Sequence, residues 1–313
     1  MVLTNSIFKA FLECPARALA VYAPRIMEDS SIAPEWEDKG SESMACGSLV
    51  DAIVTRGLNV EENGKTSVDE LALHLKSSYD DGTKNADWLL NKGGTFSAEA
   101  KNAIRAAKRL MEDPAMVDLL HFTKAITQAR LRFNLFDDVY WEGDIDILAW
   151  DDEAKRYHIV DLKSPAKIED SWITSGGKNI KVAWYDAWQY WFQLAGYAFG
   201  LDHAEGATLN GKEIGGCECE LNAKTGLVYA TRTDVPRIGY VPIANHWQLW
   251  ERAVLGRADG QQWNKAETMV NIVKGLVDAP GCGKCDYCAS KSHVTITEPE
   301  KEPVFDDIFG FNV

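Results

Sequence analysis

The strongest constraint on the fold is a pair of strand-like segments in the middle of the chain. Residues 139–150 and 156–163 are rich in β-branched and aromatic side chains, and the short segment 151–155 between them is polar. Segments of this composition form β-strands, and a short polar connection between two of them is typical of a β-hairpin. The sequence therefore predicts an antiparallel pair of strands around residue 150.

Acidic residues and a lysine lie near the ends of these two strands. Because side chains alternate between the faces of a strand, Asp161 and Lys163 share one face, and Asp144 and Asp146 share a face of the preceding strand. Either of these two aspartates could then meet Asp161 across the ladder. Carboxylates on adjacent strands provide the hard oxygen ligands that Mg²⁺ and Mn²⁺ prefer, and a neighbouring lysine can stabilise charge that develops during phosphodiester cleavage.

An acid-x-Lys tripeptide by itself is weak evidence, because on most strands it is only a solvated face. Three motifs in order are more specific: Gly143-x-x-Asp146, Asp161-x-Lys163 on the next strand, and Gln193-x-x-x-Tyr197 on a helical segment. Together they resemble the PD-(D/E)XK nuclease superfamily, and within it the branch of phage-type recombination exonucleases and iron-sulfur helicase-nuclease domains. This resemblance implies an α/β fold with a central mixed β-sheet flanked by helices, the restriction-endonuclease-like core, and with helical additions.

The resemblance also implies a role for each motif residue. Asp146 and Asp161 would bind the divalent metal, Mg²⁺ or Mn²⁺, and Lys163 would assist catalysis. Gln193 and Tyr197 would order the site and contact DNA. The implied activity is a metal-dependent deoxyribonuclease, more an exonuclease than an endonuclease, acting in phage or bacterial recombination and repair.

One position departs from the pattern of this branch. An early helix usually carries Gly-x-x-x-His, whose histidine is a further metal ligand, and the matching residues here are Gly47 and Asp51. An aspartate is a competent oxygen ligand for magnesium, so Asp51 is predicted as a third metal ligand. The competing interpretation is an ordinary acidic residue on a helix surface. If Asp51 does not replace the histidine, the chain would be a non-catalytic DNA-binding or protein-docking module that retains the nuclease fold.

Cysteines form a second group of interest. Cys282, Cys285 and Cys288 follow one another at two-residue spacing in a glycine-containing segment, and three such thiols call for a fourth ligand. Cys14, which precedes Pro15, matches the single N-terminal cysteine of the iron-sulfur members of the branch. The resemblance thus implies a 4Fe-4S cluster that joins the two chain ends, and a zinc ion on four thiolates is the alternative.

The expected domain organisation is a single nuclease domain over residues 1–292, followed by an acidic-aromatic tail over residues 293–313. The tail contains Phe305, Ile308 and Phe309 among acidic residues. Such a segment can dock into a basic, apolar groove of a protein partner, and a loosely packed terminus is the competing interpretation. The sequence leaves the oligomeric state open, including a ring-shaped oligomer.

Composition limits the remaining function classes. No apolar stretch approaches the roughly 20 residues needed to cross a bilayer, and no basic-then-apolar segment begins the chain, so a cytoplasmic protein without membrane contact is expected, in the host cytoplasm if phage-encoded. The formal net charge of −14 at pH 7 opposes binding to a polyanion such as DNA. Local lysines near the candidate site would have to offset this charge.

Apolar periodicity and capping residues predict the helical parts of the chain. The expected helices cover residues 5–22, 47–56, 68–78, 98–112 and 182–201, with Ser97 as the N-cap of the fourth. The polar segment 168–181 is expected to be a connection on the surface, either mobile over a substrate or simply exposed.

Overall fold

The computed structural model describes residues 1–37, 40–60, 66–76, 82–114, 116, 125–175, 178–214, 222–256 and 265–291. The helices are α1 (Asn5–Glu13), α2 (Pro15–Ile26), α3 (Glu42–Arg56), α4 (Val68–Leu75), α5 (Gly82–Leu89), α6 (Ala98–Glu112), α7 (Trp184–Ala187), α8 (Tyr190–Asp202), α9 (Trp247–Leu255), α10 (Lys265–Val273) and α11 (Asp286–Ser290). In these ranges, no helix combines the length and the apolar character that crossing a membrane requires.

A mixed β-sheet forms the centre of the molecule. Its strands are β1 (Val2–Leu3), β2 (Ile126–Phe136), β3 (Val139–Asp151), β4 (Arg156–Lys163), β7 (Thr208–Leu209), β8 (Lys212–Glu213), β9 (Lys224–Ala230) and β10 (Ile238–Ile243). The order across the sheet is β10-β9-β4-β3-β2-β7-β8, with β1 beside β3. The predicted β3–β4 hairpin is present and antiparallel, whereas β4 and β9 run parallel, as do β1 and β3.

Helices cover both faces of this sheet and produce two hydrophobic cores. The first core joins α1, α2, α8, α9 and α10 to one face and contains Phe8, Phe192 and Trp250. The second core packs α3 to α6 against the other face and contains Leu49 and Ile104. This arrangement of a central mixed sheet between helices confirms the predicted fold class.

Two predicted helices are each divided by a specific backbone feature. The segment 5–22 contains two helices rather than one, because Cys14 is extended, with φ −160° and ψ 95°, and Pro15 lacks the N–H needed to continue α1. The segment 182–201 is likewise divided, at Gln189, whose φ of 53° lies in the left-handed region. The N-cap prediction is confirmed, since Ser97 Oγ accepts a hydrogen bond of 3.1 Å from Ala100 N.

The predicted surface connection over residues 168–181 contains regular structure. Ser171–Ser175 (β5) and Lys178–Val182 (β6) form a separate antiparallel hairpin, with Trp172 opposite Lys181. The connection is exposed, as one of the two expectations had it, but the hairpin itself was not predicted. The strand signal consists of the aromatic and β-branched residues Trp172 and Ile173 in β5, and of Ile180 and Val182, which alternate with polar residues in β6.

The regular alternation of side chains along strand β3 is interrupted at Asp146, and this local irregularity positions the site described below. Ile145 packs into the first core, but Ile147, two residues later, packs into the second core. Regular alternation would place both on one face. Directly opposite in the ladder, Gln128 of β2 has a left-handed backbone, with φ 51°.

Candidate active site

Asp146 and Asp161 come together where β3 and β4 separate. The β3–β4 ladder ends at Ile147 opposite Val160, and beyond this pair the Asp146 Oδ2 atom accepts a hydrogen bond of 2.7 Å from Leu162 N. Asp146 is thereby attached to the backbone of the strand that carries Asp161. The two carboxylates consequently lie in a fork between strands, as the sequence predicted for one of the two aspartates of β3.

Asp161 and Lys163 form a buried ion pair on the face of β4 that meets helix α8. Asp161 is 2% exposed, and its Oδ2 atom lies 2.5 Å from Lys163 Nζ. The Lys163 ammonium is thus the partner of this buried carboxylate oxygen. Burial alone would lower the pKa of Lys163, but the carboxylates of Asp161 and Asp146 outweigh it and raise the pKa to about 12. The ammonium is therefore charged at any physiological pH.

The other carboxylates of the site are destabilised in their charged form. Burial, followed by repulsion from Asp161 and Asp51, raises the pKa of Asp146 well above its usual value. Burial also raises the pKa of Asp51, although Arg56 and Thr55 partly oppose this shift. Like charges held close together in a poorly solvated place favour the binding of a proton or a cation.

Asp51, from helix α3, reaches this site through a glutamine. Gln128 Nε2 lies 2.9 Å from Asp51 Oδ1 and 3.4 Å from Asp146 Oδ1, so one amide group donates to both carboxylates. Thr55 Oγ1 also donates to Asp51 Oδ1, at 3.1 Å. Asp51 is thus a half-buried residue of the site rather than a solvated acid on a helix surface.

Helix α8 brings the predicted Gln-x-x-x-Tyr motif to the same place. Gln193 Nε2 donates to the Tyr197 hydroxyl at 3.0 Å, and this hydroxyl donates to the carbonyl oxygen of Asp144 at 2.8 Å. Burial, then the negative charges of Asp146 and Asp161, raise the pKa of Tyr197 well above its usual value, so the hydroxyl remains a donor. The motif therefore fixes the backbone of β3 two residues before Asp146.

Two residues outside the three sequence motifs, Tyr190 and Lys9, lie near Lys163. The Tyr190 ring lies 4.8 Å from Lys163 Nζ. Lys9 of helix α1 donates through Nζ to the carbonyl oxygens of Trp188 at 3.2 Å and Gln189 at 3.5 Å. Burial, followed by the charge of Lys163, lowers the pKa of Lys9 to about 8. A second ammonium group therefore lies near the acidic site.

Two further acids of β3 point away from the site. Asp144 is exposed and its Oδ1 atom lies 3.1 Å from Arg130 Nε, which excludes it as the partner of Asp161 across the ladder. Glu142 is paired with Arg132 at 3.4 Å and with Arg130 at 3.7 Å. From the sequence alone, either Asp144 or Asp146 could lie beside Asp161. Because the alternation of β3 is interrupted at Asp146, it is Asp146 that faces Asp161.

The donor set at the fork fits a divalent metal ion. It combines the buried Asp161 carboxylate with the carboxylates of Asp146 and Asp51, whose charges repel one another, and hard cations bind such oxygen ligands. Within the described chain, however, four cysteines are the one group of three or more metal-binding side chains whose ligand atoms all lie within 4.8 Å of one another. Asp51, Asp146 and Asp161 are therefore spaced more widely than a closed single-ion site.

The four cysteines from the two ends of the described chain form that compact group. Cys14 Sγ lies 3.6 Å from Cys288 Sγ and 3.7 Å from Cys285 Sγ, and Cys282 Sγ lies 4.0 Å from Cys288 Sγ. Burial alone would raise the pKa of the Cys282 thiol, but backbone N–H groups of the loop outweigh it and lower the pKa to about 6. The predicted set of four ligands is therefore assembled and can bind a metal.

The spacing of these thiols bears on the kind of metal. A zinc ion with Zn–S bonds of about 2.3 Å holds four sulfurs at the corners of a tetrahedron with edges of about 3.8 Å. The sulfur separations of 3.6, 3.7 and 4.0 Å match these edges. A 4Fe-4S cluster inserts iron and sulfide atoms between the thiolates, so the four thiols would have to move apart to accommodate it.

The central sheet, the forked strands and the acid-lysine pair together define a PD-(D/E)XK-type fold. Residues 4–214 match the model of a family described as "PDDEXK-like domain of unknown function (DUF3799)", and the chain belongs to this family. No curated protein matches the chain. The chain is similar to a crystal structure from Eubacterium rectale named "Putative exonuclease", with 18% identity, a TM-score of 0.63, and coverage of 97% of this chain and 90% of that one. At this identity the similarity concerns the fold.

Proposed function

We propose that the protein is a divalent-metal-dependent deoxyribonuclease. The observation that carries the proposal is that the carboxylates of Asp161 and Asp146 lie together at the strand fork, with the Lys163 ammonium 2.5 Å from Asp161 Oδ2. An ion pair with a purely structural role does not need a second carboxylate, that of the half-buried Asp146, at the opening of a strand fork. In a hydrolytic metal site, acids hold the ion, and a neighbouring lysine can stabilise the charge that develops in the transition state.

The proposed roles follow from the contacts of each side chain. Asp146 and Asp161 would hold Mg²⁺ or Mn²⁺, which when bound supplies a water of lowered pKa and polarises the phosphate. Lys163, charged at all physiological pH values, would stabilise the negative charge that develops on the phosphate oxygens. Gln193 and Tyr197 hold the backbone ahead of Asp146 in place, in addition to the contact with DNA that the resemblance implies.

The rim of the site offers contacts for a nucleic acid. Trp188 is 65% exposed, and its carbonyl oxygen is held by Lys9. An exposed indole can stack on an unpaired base, and an ammonium can neutralise a phosphate. We propose that these two residues contact the DNA beside the cleaved bond, which would offset locally the net charge of −14.

Exonuclease activity in phage or bacterial recombination and repair is the proposed biological role. It is supported by the resemblance of the motifs to the recombination exonucleases and by the name of the structurally similar protein from Eubacterium rectale. A non-catalytic DNA-binding or docking module is the second candidate, favoured by the acidic net charge and by the wide spacing of the three carboxylates. The cytoplasmic location remains a prediction.

The four cysteines are proposed to bind a metal centre that links α11 to the break between α1 and α2. A 4Fe-4S cluster is favoured by the triple-cysteine segment with a remote fourth ligand. Zinc is the second candidate, because the sulfur separations match a tetrahedron around one ion. The single domain over residues 1–292 also remains a prediction, and the proposed docking tail over residues 293–313 lies outside the described part of the chain.

The test is degradation of end-labelled linear DNA and covalently closed circular DNA by anaerobically purified protein, with Mn²⁺, Mg²⁺ or chelator. Metal-dependent loss of the linear substrate alone would support an exonuclease. Asp161→Ala and Lys163→Ala should each abolish cleavage. Because loss of one partner of a buried ion pair costs about 3–5 kcal/mol, circular dichroism at the assay temperature must show that both variants are folded. Asp144→Ala is the matched control, because this exposed carboxylate lies two residues from Asp146 but outside the fork. Intact DNA under every condition would favour the non-catalytic module.

A further inference from the structure

Gln128 has an unusual backbone at the position directly opposite Asp146. Its φ of 51° is in the left-handed region although it lies within strand β2, and its neighbours Thr127 and Ala129 pair regularly with Ile147 and Ile145. A non-glycine residue in this region is strained by roughly 1 kcal/mol or more and persists only where surrounding contacts fix it. No turn or glycine accounts for this conformation.

The left-handed backbone aims the side chain of Gln128 at the carboxylates. Its Nε2 atom donates to Asp51 Oδ1 at 2.9 Å and to Asp146 Oδ1 at 3.4 Å, while its Oε1 atom accepts from Arg56 Nη2 at 3.3 Å. The Arg56 contact fixes which end of the amide faces the acids. The amide is thus oriented as a donor between two carboxylates that repel one another.

Asp51, Asp146 and Asp161 lie too far apart to form a closed site around one ion. The Gln128 bridge explains how Asp51 nevertheless belongs to the site. Asp51 contacts Gln128, and Gln128 contacts Asp146, whose second oxygen is held by Leu162 N. Both oxygens of Asp146 are therefore oriented by donors. Groups that hydrogen-bond to metal ligands fix their orientation, and their removal typically weakens metal binding by about 10- to 100-fold.

We propose that Gln128 is a positioning residue of the divalent-metal site, which couples Asp51 to Asp146 and sets the orientation of the Asp146 carboxylate. The inference rests on the proposed function, since it assumes that Asp146 binds the metal. Asp51 then acts through Gln128 rather than on the metal itself. Where the Gly-x-x-x-His pattern has a histidine ligand, this chain has an aspartate that contacts the site through a glutamine. The side-chain amide of Gln128 contacts the carboxylates through its nitrogen atom. It does not offer an oxygen ligand to the metal, because its oxygen atom faces Arg56.

The experiment is Mn²⁺ binding to the full-length protein, followed by the loss of the free Mn²⁺ signal in electron paramagnetic resonance. Gln128→Ala should weaken Mn²⁺ binding by about 10- to 100-fold. Gln128→Glu has the same length but cannot donate, so its affinity should fall at least as far. Gln128→Gly relieves the left-handed backbone and should also bind weakly, which separates lost contact from backbone strain. Lys155→Ala, at an exposed turn residue with φ 47°, is the control and should bind like the wild type.

Each outcome has a distinct meaning. Affinity within twofold of the wild type for Gln128→Ala, or equal or tighter binding by Gln128→Glu, would overturn the positioning role, the latter by showing that residue 128 acts as a ligand. Wild-type protein that binds no more Mn²⁺ than Asp161→Ala would instead overturn the proposed function together with this inference. Thermal midpoints of all variants, measured in chelator, verify that the metal-free proteins are folded.

Discussion

The ring of Tyr197 occupies the space that a side chain at Gly143 would need. A Cβ atom built on Gly143 would lie 2.6 Å from Tyr197 Cε1 and 3.2 Å from its hydroxyl oxygen, whereas carbon atoms in contact are normally about 3.5–4.0 Å apart. The glycine of the Gly-x-x-Asp motif therefore lets helix α8 approach β3. This approach places the tyrosine hydroxyl on the Asp144 carbonyl oxygen, just ahead of Asp146.

Gly143→Ala should consequently reduce both stability and activity. The new methyl group clashes with a buried ring, and overpacking of this kind typically costs about 1–3 kcal/mol. A shift of β3 would displace Asp146, and misplacement of a reacting group by about 1 Å can reduce the rate roughly 10²-fold. Chemical denaturation and single-turnover cleavage would measure the two effects.

Gly47→Ala is the matched control for this substitution. A Cβ at Gly47 has Ser164 Oγ as its nearest neighbour, at an ordinary 3.9 Å, and the residue lies within helix α3, where alanine is favoured by about 1 kcal/mol. Unchanged activity in both alanine variants would contradict the steric role of Gly143. Tyr197→Phe removes the hydrogen bond without the clash and should retain stability better than Gly143→Ala.

Asp146→Asn should stabilise the metal-free protein at neutral pH. The pKa of Asp146 is raised by burial and by Asp161, so its ionisation costs folding free energy as pH rises from the unfolded value of about 3.9 through the folded pKa. Below both values the residue is protonated in either state and the cost disappears. Asparagine retains an oxygen that can accept from Leu162 N, and it removes the charge.

Thermal unfolding in chelator, from acidic to neutral pH, would measure this difference. The midpoint of Asp146→Asn should exceed that of the wild type near pH 7, and the gap should narrow as pH falls towards about 4. Addition of Mn²⁺ should reverse the order, because the ion stabilises only the protein that binds it. A midpoint of the variant below that of the wild type in chelator at pH 7 would show that Asp146 is not under charge repulsion.

Much of the fold could be predicted because its signals are local. The β3–β4 hairpin, the Ser97 cap and the motif residues Asp161 and Lys163 depend on strand alternation and short spacings. The parts that were not predicted depend on tertiary geometry. Gln128 is one polar residue of strand β2, and only its left-handed backbone aims it at Asp146. Lys9 carries no motif either, since its proximity to the site follows from the packing of α1 against α8.

Lys9 should make DNA affinity dependent on pH near 8. Its pKa is lowered to about 8 by burial and by the charge of Lys163, so the free protein loses this positive charge as pH rises through that value. Wild-type affinity should therefore decline between pH 7 and 9, whereas Lys9→Arg, which stays charged, should decline less. Fluorescence anisotropy of a labelled linear duplex in chelator measures binding without cleavage.

The salt dependence of Lys9→Met gives an independent measurement of the same contact. Loss of one phosphate contact lowers the slope of log K against log salt by about 0.9 for duplex DNA. Lys155→Met, in the exposed turn between β3 and β4, is the control and should keep the wild-type slope. Equal slopes for Lys9→Met and the wild type at pH 7 would show that Lys9 does not contact the DNA backbone.

Metal analysis of anaerobically purified protein should find a centre that depends on all four cysteines. A 4Fe-4S cluster predicts iron and acid-labile sulfide in equal amounts, about four of each per chain, whereas zinc predicts one ion and no sulfide. Cys14→Ser should lose the metal and lower the thermal midpoint, because Cys14 lies at the junction of α1 and α2 and is joined through the metal to the segment of Cys282. Cys46→Ala, in the buried part of α3, should retain the full metal content. If the wild-type protein contains neither iron nor zinc and has the same thermal midpoint as Cys14→Ser, the four thiols do not bind a metal.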